Sequence, residues 1–254
     1  MPRPVYVKTE VAAERAVTDI LIRKQPVVAI KCLGCNVGEK GGRITLVSVG
    51  CWDGHVYVFD VKKCPAIVYA GGLLRLLQAA QFLKVFHNCT PDCTTLMKQF
   101  GVRVNHFYDT QIAHAVIMER NGLPARRLSL RQICDSYKQS APAVPPELER
   151  LVCEDVNVWA RRPVTHAMLD LAAASVRPLV PGLFVNTDRL LPTDSNEWFT
   201  HQCDENRRKR LPVHAPPVNP HQGMQHHCCT CTNCGVTRRN MTAEYSENKS
   251  EEAQ

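Results

Sequence analysis

The order of strand-like and helix-like segments restricts the fold of this chain more than any other feature. Three short runs rich in β-branched residues come first, at residues 27–32, 44–50 and 55–61, with turn signals between them. After residue 61, strand-like runs alternate with segments that have helical periodicity or caps. Consecutive strands pair in a meander, whereas strands that alternate with helices form parallel units. The order therefore predicts an α/β fold with a mixed five-stranded sheet, a three-strand meander first, flanked by helices.

The segment at residues 84–96 predicts a buried strand that runs directly into a helix. Its strand covers residues 84–88, and its helix covers residues 91–100 and ends at Gly101, a favourable residue for a helix C-terminus. Asp92 lies at the turn between the two. An acid at such a turn is well placed to bind a catalytic metal ion, so Asp92 is the first candidate site residue.

The second half of the chain predicts two more features. A short strand at 104–108 leads into a helix that Asp109 can cap, and a long apolar helix begins at Thr165. Beyond about Asn186 the periodicity ends, and the chain becomes polar and rich in charge. We therefore expect one domain at residues 1–190 and a largely disordered tail at residues 191–254.

The overall composition limits the partners and the compartment. Thirty-one basic and 24 acidic residues give a net charge of +7, which suits an anionic partner such as nucleic acid or an ordinary basic surface. No run of about 18 apolar residues predicts a membrane span, and the N-terminal segment does not resemble a secretory signal. We therefore expect a cytoplasmic protein whose 13 cysteines are thiols or metal ligands rather than disulfides.

Several short stretches, taken in order, resemble the DEDD 3'-5' exonucleases, which have a ribonuclease H-like fold. They are ITL at 44–46, VFDVKKCP at 58–65, GGL at 71–73, KVFH at 84–87, YDTQIAHA at 108–115 and WARRP at 159–163. The resemblance covers about residues 5–185 and is strongest to the Egalitarian-like branch and its relatives in the piRNA pathway. The resemblance to this branch implies RNA and ribonucleoprotein-granule proteins as partners.

Exonucleases of this family use two divalent ions about 3.5–4 Å apart, which require oxygen ligands. The resemblance implies four carboxylates: two on the first long strand, one at the strand–helix turn and one on the last helix. In this sequence the four positions fall on Lys31, Leu33, Asp92 and Ser175. Three of the four metal-binding carboxylates are therefore replaced, and no Mg²⁺ or Mn²⁺ is expected in the cleft.

Lys31 adds an electrostatic objection to metal binding. At 4 Å, a single positive charge opposes a divalent ion by about 2 kcal/mol in water, and by more in a cleft. Lys31 can instead form a salt bridge with Asp92, which leaves three roles open for Asp92: ion pairing, helix capping or metal binding. Asp170 is no substitute ligand, because it points about 140° away from Ser175 on the same helix. Asp109 is expected to cap its own helix.

Six residues are candidate nucleic-acid contacts. They are Lys31, His87, Arg126, Arg127, Arg161 and Arg162. The arginines lie in segments that line the family's nucleic-acid groove and can contact phosphates. Solvated surface charge explains the same arginines, and a packed strand-end histidine explains His87.

The C-terminal region contains a second candidate site. Cys228, Cys231, Cys234 and His226 have the residue types and close spacing of a zinc site, and Cys231-x-x-Cys234-Gly resembles a zinc knuckle. A complete module has a second ligand pair at a distance, and none follows Cys234. A disordered, thiol-rich tail is the alternative.

The leading functional hypothesis is a catalytically inactive 3'-5' exonuclease-like domain. By resemblance it binds RNA or acts as a scaffold in a ribonucleoprotein complex of the piRNA or mRNA-localisation type, with granule proteins as partners and a homodimer left open. The first alternative is an active exonuclease with a rearranged set of Mg²⁺ or Mn²⁺ ligands. The second is a protein-interaction scaffold that does not bind nucleic acid.

Overall fold

The computed structural model describes residues 2–140 and 144–208. Its centre is one six-stranded sheet. The strands are β1 (Val5–Val7), β2 (Val27–Cys35), β3 (Arg43–Cys51), β4 (Val56–Phe59), β5 (Leu83–Phe86) and β6 (Phe107–Asp109). They lie in the order β1-β4-β3-β2-β5-β6.

The sheet is mixed, as the order of elements predicts. Strands β2, β3 and β4 form the antiparallel meander, whereas β5 pairs in parallel with β2 and with β6. The predicted count of five strands is wrong by one, because β1 adds a parallel edge strand beside β4. With three residues, β1 is too short to show the alternation of apolar and polar residues that marks a strand. It is recognised as a strand only from its backbone pairing with β4.

Nine α-helices flank the sheet in the described part of the chain. They are α1 (Glu10–Leu21), α2 (Leu73–Gln78), α3 (Cys89–Phe100), α4 (Thr110–Arg120), α5 (Leu130–Ser136), α6 (Pro146–Glu154), α7 (His166–Ala174), α8 (Phe184–Leu190) and α9 (Asn196–Arg208). Helix α7 begins where the Thr165 side chain accepts a hydrogen bond from the Met168 amide. Helix α4 begins at Asp109, whose carboxylate accepts one from the Gln111 amide.

Close packing fixes the end of α7 on the sheet. A Cβ atom added to Gly50 on β3 would lie 3.1 Å from a methyl carbon of Val176. Because glycine has no side chain, Val176 can pack directly against the sheet at this position. Val176 is fully buried. This contact places its neighbour Ser175, one of the four family positions, over the sheet.

The polar C-terminal region folds further than the sequence predicts. Residues 196–208 form α9, so the expected disorder is wrong for this segment. Phe199 and Cys203 of α9 are buried, and the Phe199 ring lies 4.9 Å from that of Tyr108 on β6. These are the only two apolar residues of α9 that are buried, and Trp198 is exposed, which explains why composition did not reveal the helix.

One helical stretch in the described residues, His166–Leu190, is long and apolar enough to match a membrane span by length and hydropathy. Its backbone leaves helical geometry at Val180 (φ −131°, ψ 136°). Of its most apolar window, 56% is buried inside the fold. The stretch is a pair of core helices joined by a bend.

Candidate functional site

The only acid retained at the four family positions is bound to a lysine. Lys31 Nζ on β2 donates to Asp92 Oδ2 at 2.7 Å, and the Cys32 amide donates to Asp92 Oδ1 at 3.1 Å. Asp92 is the fourth residue of α3 and has no exposed surface, whereas 28% of the Lys31 side chain is exposed. Of the roles that the sequence left open, Asp92 therefore has that of the ion-pair partner.

The ion pair supplies no net charge to the cleft. Burial lowers the pKa of Lys31, but the adjacent Asp92 carboxylate outweighs this effect and leaves that pKa above its usual value. Burial raises the pKa of Asp92, against the opposite effects of Lys31 and of the Cys32 amide. Whichever of the two groups holds the shared proton, the sum of their charges is zero.

The other family positions carry no carboxylate for a metal ion. Leu33 is buried, and Ser175 Oγ donates to the Ala172 carbonyl at 2.6 Å. Asp170 is exposed on another face of α7. Among the described residues, no three His, Cys, Asp or Glu side chains group as a metal site. The residues present therefore do not fit the paired divalent ions that the family uses.

Asp109 has a structural role next to this site. Its Oδ1 accepts hydrogen bonds from the amides of Asn88 and Gln111, each at 2.9 Å, and its Oδ2 accepts one from the Cys89 amide at 2.6 Å. One buried carboxylate therefore caps α4 and also holds the start of α3. The expected role of Asp109 as a helix cap is what the structure shows.

A pocket of about 340 Å³ opens beside the ion pair. Its walls are formed by Lys31, His87, Asn88, Gln111, Arg127, Leu128, Ser129, Leu130 and Ser175. None of these nine residues is acidic. The pocket therefore brings together four of the predicted site residues, and we call it the Arg127 pocket.

His87 is fixed by hydrogen bonds on both ring nitrogens. Nδ1 lies 3.0 Å from Thr110 Oγ1, and Nε2 lies 2.9 Å from the Leu128 carbonyl oxygen. Burial lowers the pKa of His87, which favours the neutral ring. Its main role in this structure is to join β5 to the segment that precedes α5.

The four candidate arginines fall into two groups. Arg126 and Arg127 are exposed, and Arg127 Nη2 donates a long hydrogen bond of 3.4 Å to Asn88 Oδ1. Arg161 forms an exposed ion pair of 2.6 Å with Asp155. Arg162 donates to the fully buried Asp60 carboxylate at 2.5 Å. Only Arg127 lines the pocket.

The Asp60 carboxylate makes Arg162 part of the fold. Asp60 also accepts from the Tyr6 hydroxyl at 2.5 Å and from the Lys63 amide at 2.9 Å. Burial acts to raise the pKa of Asp60, but Arg162, Tyr6 and the Lys63 amide outweigh it and lower that pKa. Arg162 therefore ties the segment before α7 to β4 and β1.

Sequence reasoning did not select five of the residues that line the pocket. They are Asn88, Gln111, Leu128, Ser129 and Leu130. Asn88 has a left-handed backbone (φ 59°), which asparagine tolerates better than most residues, and this preference was the available signal. Ser129 and Leu130 begin α5, and no periodic pattern marks the preceding loop as a wall of the site.

The candidate zinc ligands His226, Cys228, Cys231 and Cys234 lie outside the described residues. Zinc binding by this segment stays a prediction.

Comparison with known proteins gives the same fold and a set of relatives. Residues 4–181 match the family model described as 3'-5' exonuclease. The piRNA biogenesis protein EXD1 of Homo sapiens is 32% identical over 167 residues, which cover 63% of this chain and 32% of that protein. EXD1 of Mus musculus is 27% identical over 181 residues, 67% of this chain and 30% of that protein. The chain spans about a third of the length of these curated relatives.

Two solved ribonucleases share the architecture. Trypanosoma brucei RNase D has a TM-score of 0.66 at 19% identity, covering 95% of this chain and 80% of that one. Escherichia coli RNase D has a TM-score of 0.60 at 21% identity, covering 78% of this chain and 49% of that one. At these identities the similarity shows an RNase D-like fold.

Proposed function

The chain belongs to the 3'-5' exonuclease family, and we propose that it is a member that binds RNA without cleaving it. The Lys31–Asp92 ion pair carries this proposal. Metal-assisted cleavage requires carboxylates that hold two divalent ions against a phosphodiester. Here the single retained carboxylate is paired with an ammonium group 2.7 Å away, and the other three family positions hold Lys31, Leu33 and Ser175.

Three observations support RNA as the partner. The Arg127 pocket has cationic and no acidic side chains in its walls. The chain has a net charge of +7. RNase D of Trypanosoma brucei, which has the same fold, has been solved in complex with the RNA U12. Anionic RNA gains affinity from such a surface through phosphate contacts and release of counterions.

The relatives suggest the setting. EXD1 of several animals is described as a piRNA biogenesis protein, and this chain matches part of it. We place the domain in a cytoplasmic ribonucleoprotein complex of the piRNA type, where it holds RNA or joins RNA to granule proteins. A second copy of the chain is a candidate partner in that complex.

The first experiment measures cleavage. The full chain is incubated with 5'-labelled single-stranded RNA and Mg²⁺ or Mn²⁺, with Escherichia coli RNase D as the active control. We expect no shortening of the RNA, even at a protein concentration far above the concentration at which the control enzyme degrades it. Shortening that disappears in a folded Asp92→Ala variant would instead establish the alternative, an exonuclease with a rearranged ligand set.

The second experiment measures RNA binding as a function of salt. Because phosphate contacts release counterions, we expect the affinity for a 12-nucleotide RNA to fall steadily as salt rises from about 50 to 200 mM. An Arg127→Glu variant should bind more weakly than the unaltered chain. If the unaltered chain does not bind the RNA even at low salt, the proposal is wrong, and the alternative of a protein-interaction scaffold that does not bind nucleic acid is favoured.

A further inference from the structure

The charge of the Arg127 pocket is opposite to that of a metal-binding cleft. Its walls contain one lysine and one arginine but no carboxylate, because Asp92 lies behind Lys31 and is not part of the lining. We propose that this pocket binds the phosphate of a single nucleotide, free or at an RNA end, without a divalent cation. This proposal rests on the proposed function and assigns the ligand chemistry of its site.

Charge balance explains why the ligand is an anion and not a metal ion. Lys31 and Asp92 together contribute no net charge, and burial lowers the pKa of His87, which favours the neutral ring. The Asp109 carboxylate lies outside the lining and is held by three backbone amides, so the charge exposed on the walls of the pocket is that of Arg127. In a partly enclosed site this charge repels a divalent ion and attracts a phosphate. In a metal-dependent nuclease, by contrast, metal ions balance the phosphate charge.

The pocket also has hydrogen-bond donors for phosphate oxygens. Lys31 Nζ carries three hydrogens, one of which is directed at Asp92 Oδ2, and its side chain is partly exposed. The planar guanidinium of Arg127 has two parallel N–H donors that suit a phosphate, and its hydrogen bond to Asn88 Oδ1 is long, at 3.4 Å. The Ser129 hydroxyl accepts from the Gln132 amide and can still donate its own hydrogen.

The remaining walls suit the rest of a nucleotide. Leu128 and Leu130 provide apolar surface for a ribose or a base, next to the polar groups. The volume of about 340 Å³ is near the small end of the range for ligand sites, which begins at about 300 Å³. The pocket therefore has space for one nucleotide and not for a longer stretch of strand.

Binding of uridine 5'-monophosphate, measured by titration calorimetry on the full chain, tests the proposal. We expect affinity that changes less than about twofold between EDTA and Mg²⁺, since no metal ion takes part. Uridine, which has no phosphate, should bind at least about tenfold more weakly, and inorganic phosphate should displace the nucleotide. Tight binding that requires Mg²⁺, or equal binding of uridine, would overturn the proposal.

Two neighbouring arginines provide a matched comparison. Arg127→Gln should weaken binding of the nucleotide at least about tenfold, because charge-assisted hydrogen bonds to the phosphate are lost. Arg126→Gln changes the same charge on an exposed side chain that does not line the pocket, and it should change binding less than about twofold. Equal losses in the two variants would mean that general surface charge, and not the pocket, holds the nucleotide.

A paired variant tests the contribution of Lys31 without leaving a buried charge. Lys31→Met together with Asp92→Asn removes both charges and should weaken nucleotide binding while circular dichroism shows a folded protein. Unchanged binding would exclude Lys31 from the site.

The same measurements separate this inference from the proposed function. If the 12-nucleotide RNA binds uncleaved but the mononucleotide does not bind, the pocket assignment fails and the RNA-binding function stands. Cleavage of RNA would instead contradict the proposed function directly, whatever the mononucleotide does.

Discussion

Lys31 and Asp92 differ in how far each depends on the other. Asp92 has no exposed surface, whereas the Lys31 side chain is 28% exposed. A buried carboxylate that loses its partner keeps the full cost of its desolvation. An ammonium at the edge of a pocket can recover contact with water.

We therefore expect an asymmetric effect of removing either partner. Lys31→Met should lower the free energy of unfolding by about 3–5 kcal/mol. Asp92→Asn, which leaves an amide oxygen for the Cys32 amide, should cost on the order of 1 kcal/mol. Urea unfolding followed by circular dichroism measures both.

The double variant Lys31→Met with Asp92→Asn is the control for this pair. Because it removes both charges, it should be more stable than Lys31→Met alone. A double variant as unstable as the sum of the two single variants would show that the two side chains are not coupled.

The sequence predicted the ion pair between Lys31 and Asp92 but not the one between Arg162 and Asp60. Lys31 and Asp92 could be matched because the family resemblance places both at metal-ligand positions, on a strand and at a strand–helix turn that each have a recognisable local signal. Arg162 and Asp60 are 102 positions apart, and nothing local to either residue indicates the contact. Arg162 therefore looked like a surface residue of the groove, although it is bound to a buried carboxylate.

Among the elements, α9 depends on very few side chains. Phe199 is 4% exposed and packs on Tyr108, whereas its neighbour Trp198 is 45% exposed. Phe199→Ala should cost about 3–5 kcal/mol in the free energy of unfolding, because a buried aromatic ring is lost. Trp198→Ala should cost about 1 kcal/mol or less. Thermal unfolding of the two variants tests whether α9 is part of the cooperative fold, and equal small losses would argue against it.

Strand β2 and helix α7 carry the replaced metal positions, and restoring them tests their placement. The triple change Lys31→Asp, Leu33→Glu and Ser175→Asp should lower stability in EDTA, since four acids then lie together. Mn²⁺ should bind and recover that stability by mass action. Calorimetric titration and the change of Tm with Mn²⁺ measure the two effects.

The matched control carries Lys31→Asn, Leu33→Gln and Ser175→Asn. These amides are close to the acids in size but carry no charge, so Mn²⁺ should leave the Tm of this variant unchanged. A folded acidic triple variant that binds no Mn²⁺ would place the alignment of β2 and α7 in doubt.

At the scale of elements, length and period decided what the sequence could reveal. The meander and the segment at residues 84–96 contain enough alternating or capped residues to be recognised. Strand β1 has three residues and becomes a strand only by pairing with β4. Helix α9 has its two buried apolar residues four positions apart, Phe199 and Cys203, in a segment whose composition is typical of disorder.

For the molecule as a whole, buried histidines predict a loss of stability in mild acid. Burial lowers the pKa of His87, His106 and His114 in the folded protein. The unfolded chain, with histidine pKa values near 6.5, then binds more protons than the folded one below about pH 6.5. Their contribution to stability is complete above that pH and is lost as the pH falls from there towards the folded pKa values.

As the pH is lowered from 7.5 to 5.5, the free energy of unfolding should therefore decrease by up to about 1.4 kcal/mol per pH unit for each histidine. A lower urea midpoint at the lower pH measures this loss. His114→Gln should reduce this pH dependence relative to the unaltered chain. The same pH dependence in both proteins would rule out His114 as a contributor.

The ion pair between β2 and α3 also limits how this protein can change over evolutionary time. A lone mutation of Lys31 to an acid would place a second carboxylate beside the fully buried Asp92, while Leu33 and Ser175 provide no carboxylates for a metal ion that could separate the two charges. This first step towards a metal-binding site would therefore lower the stability of the fold. Selection for stable folding alone is therefore enough to retain Lys31.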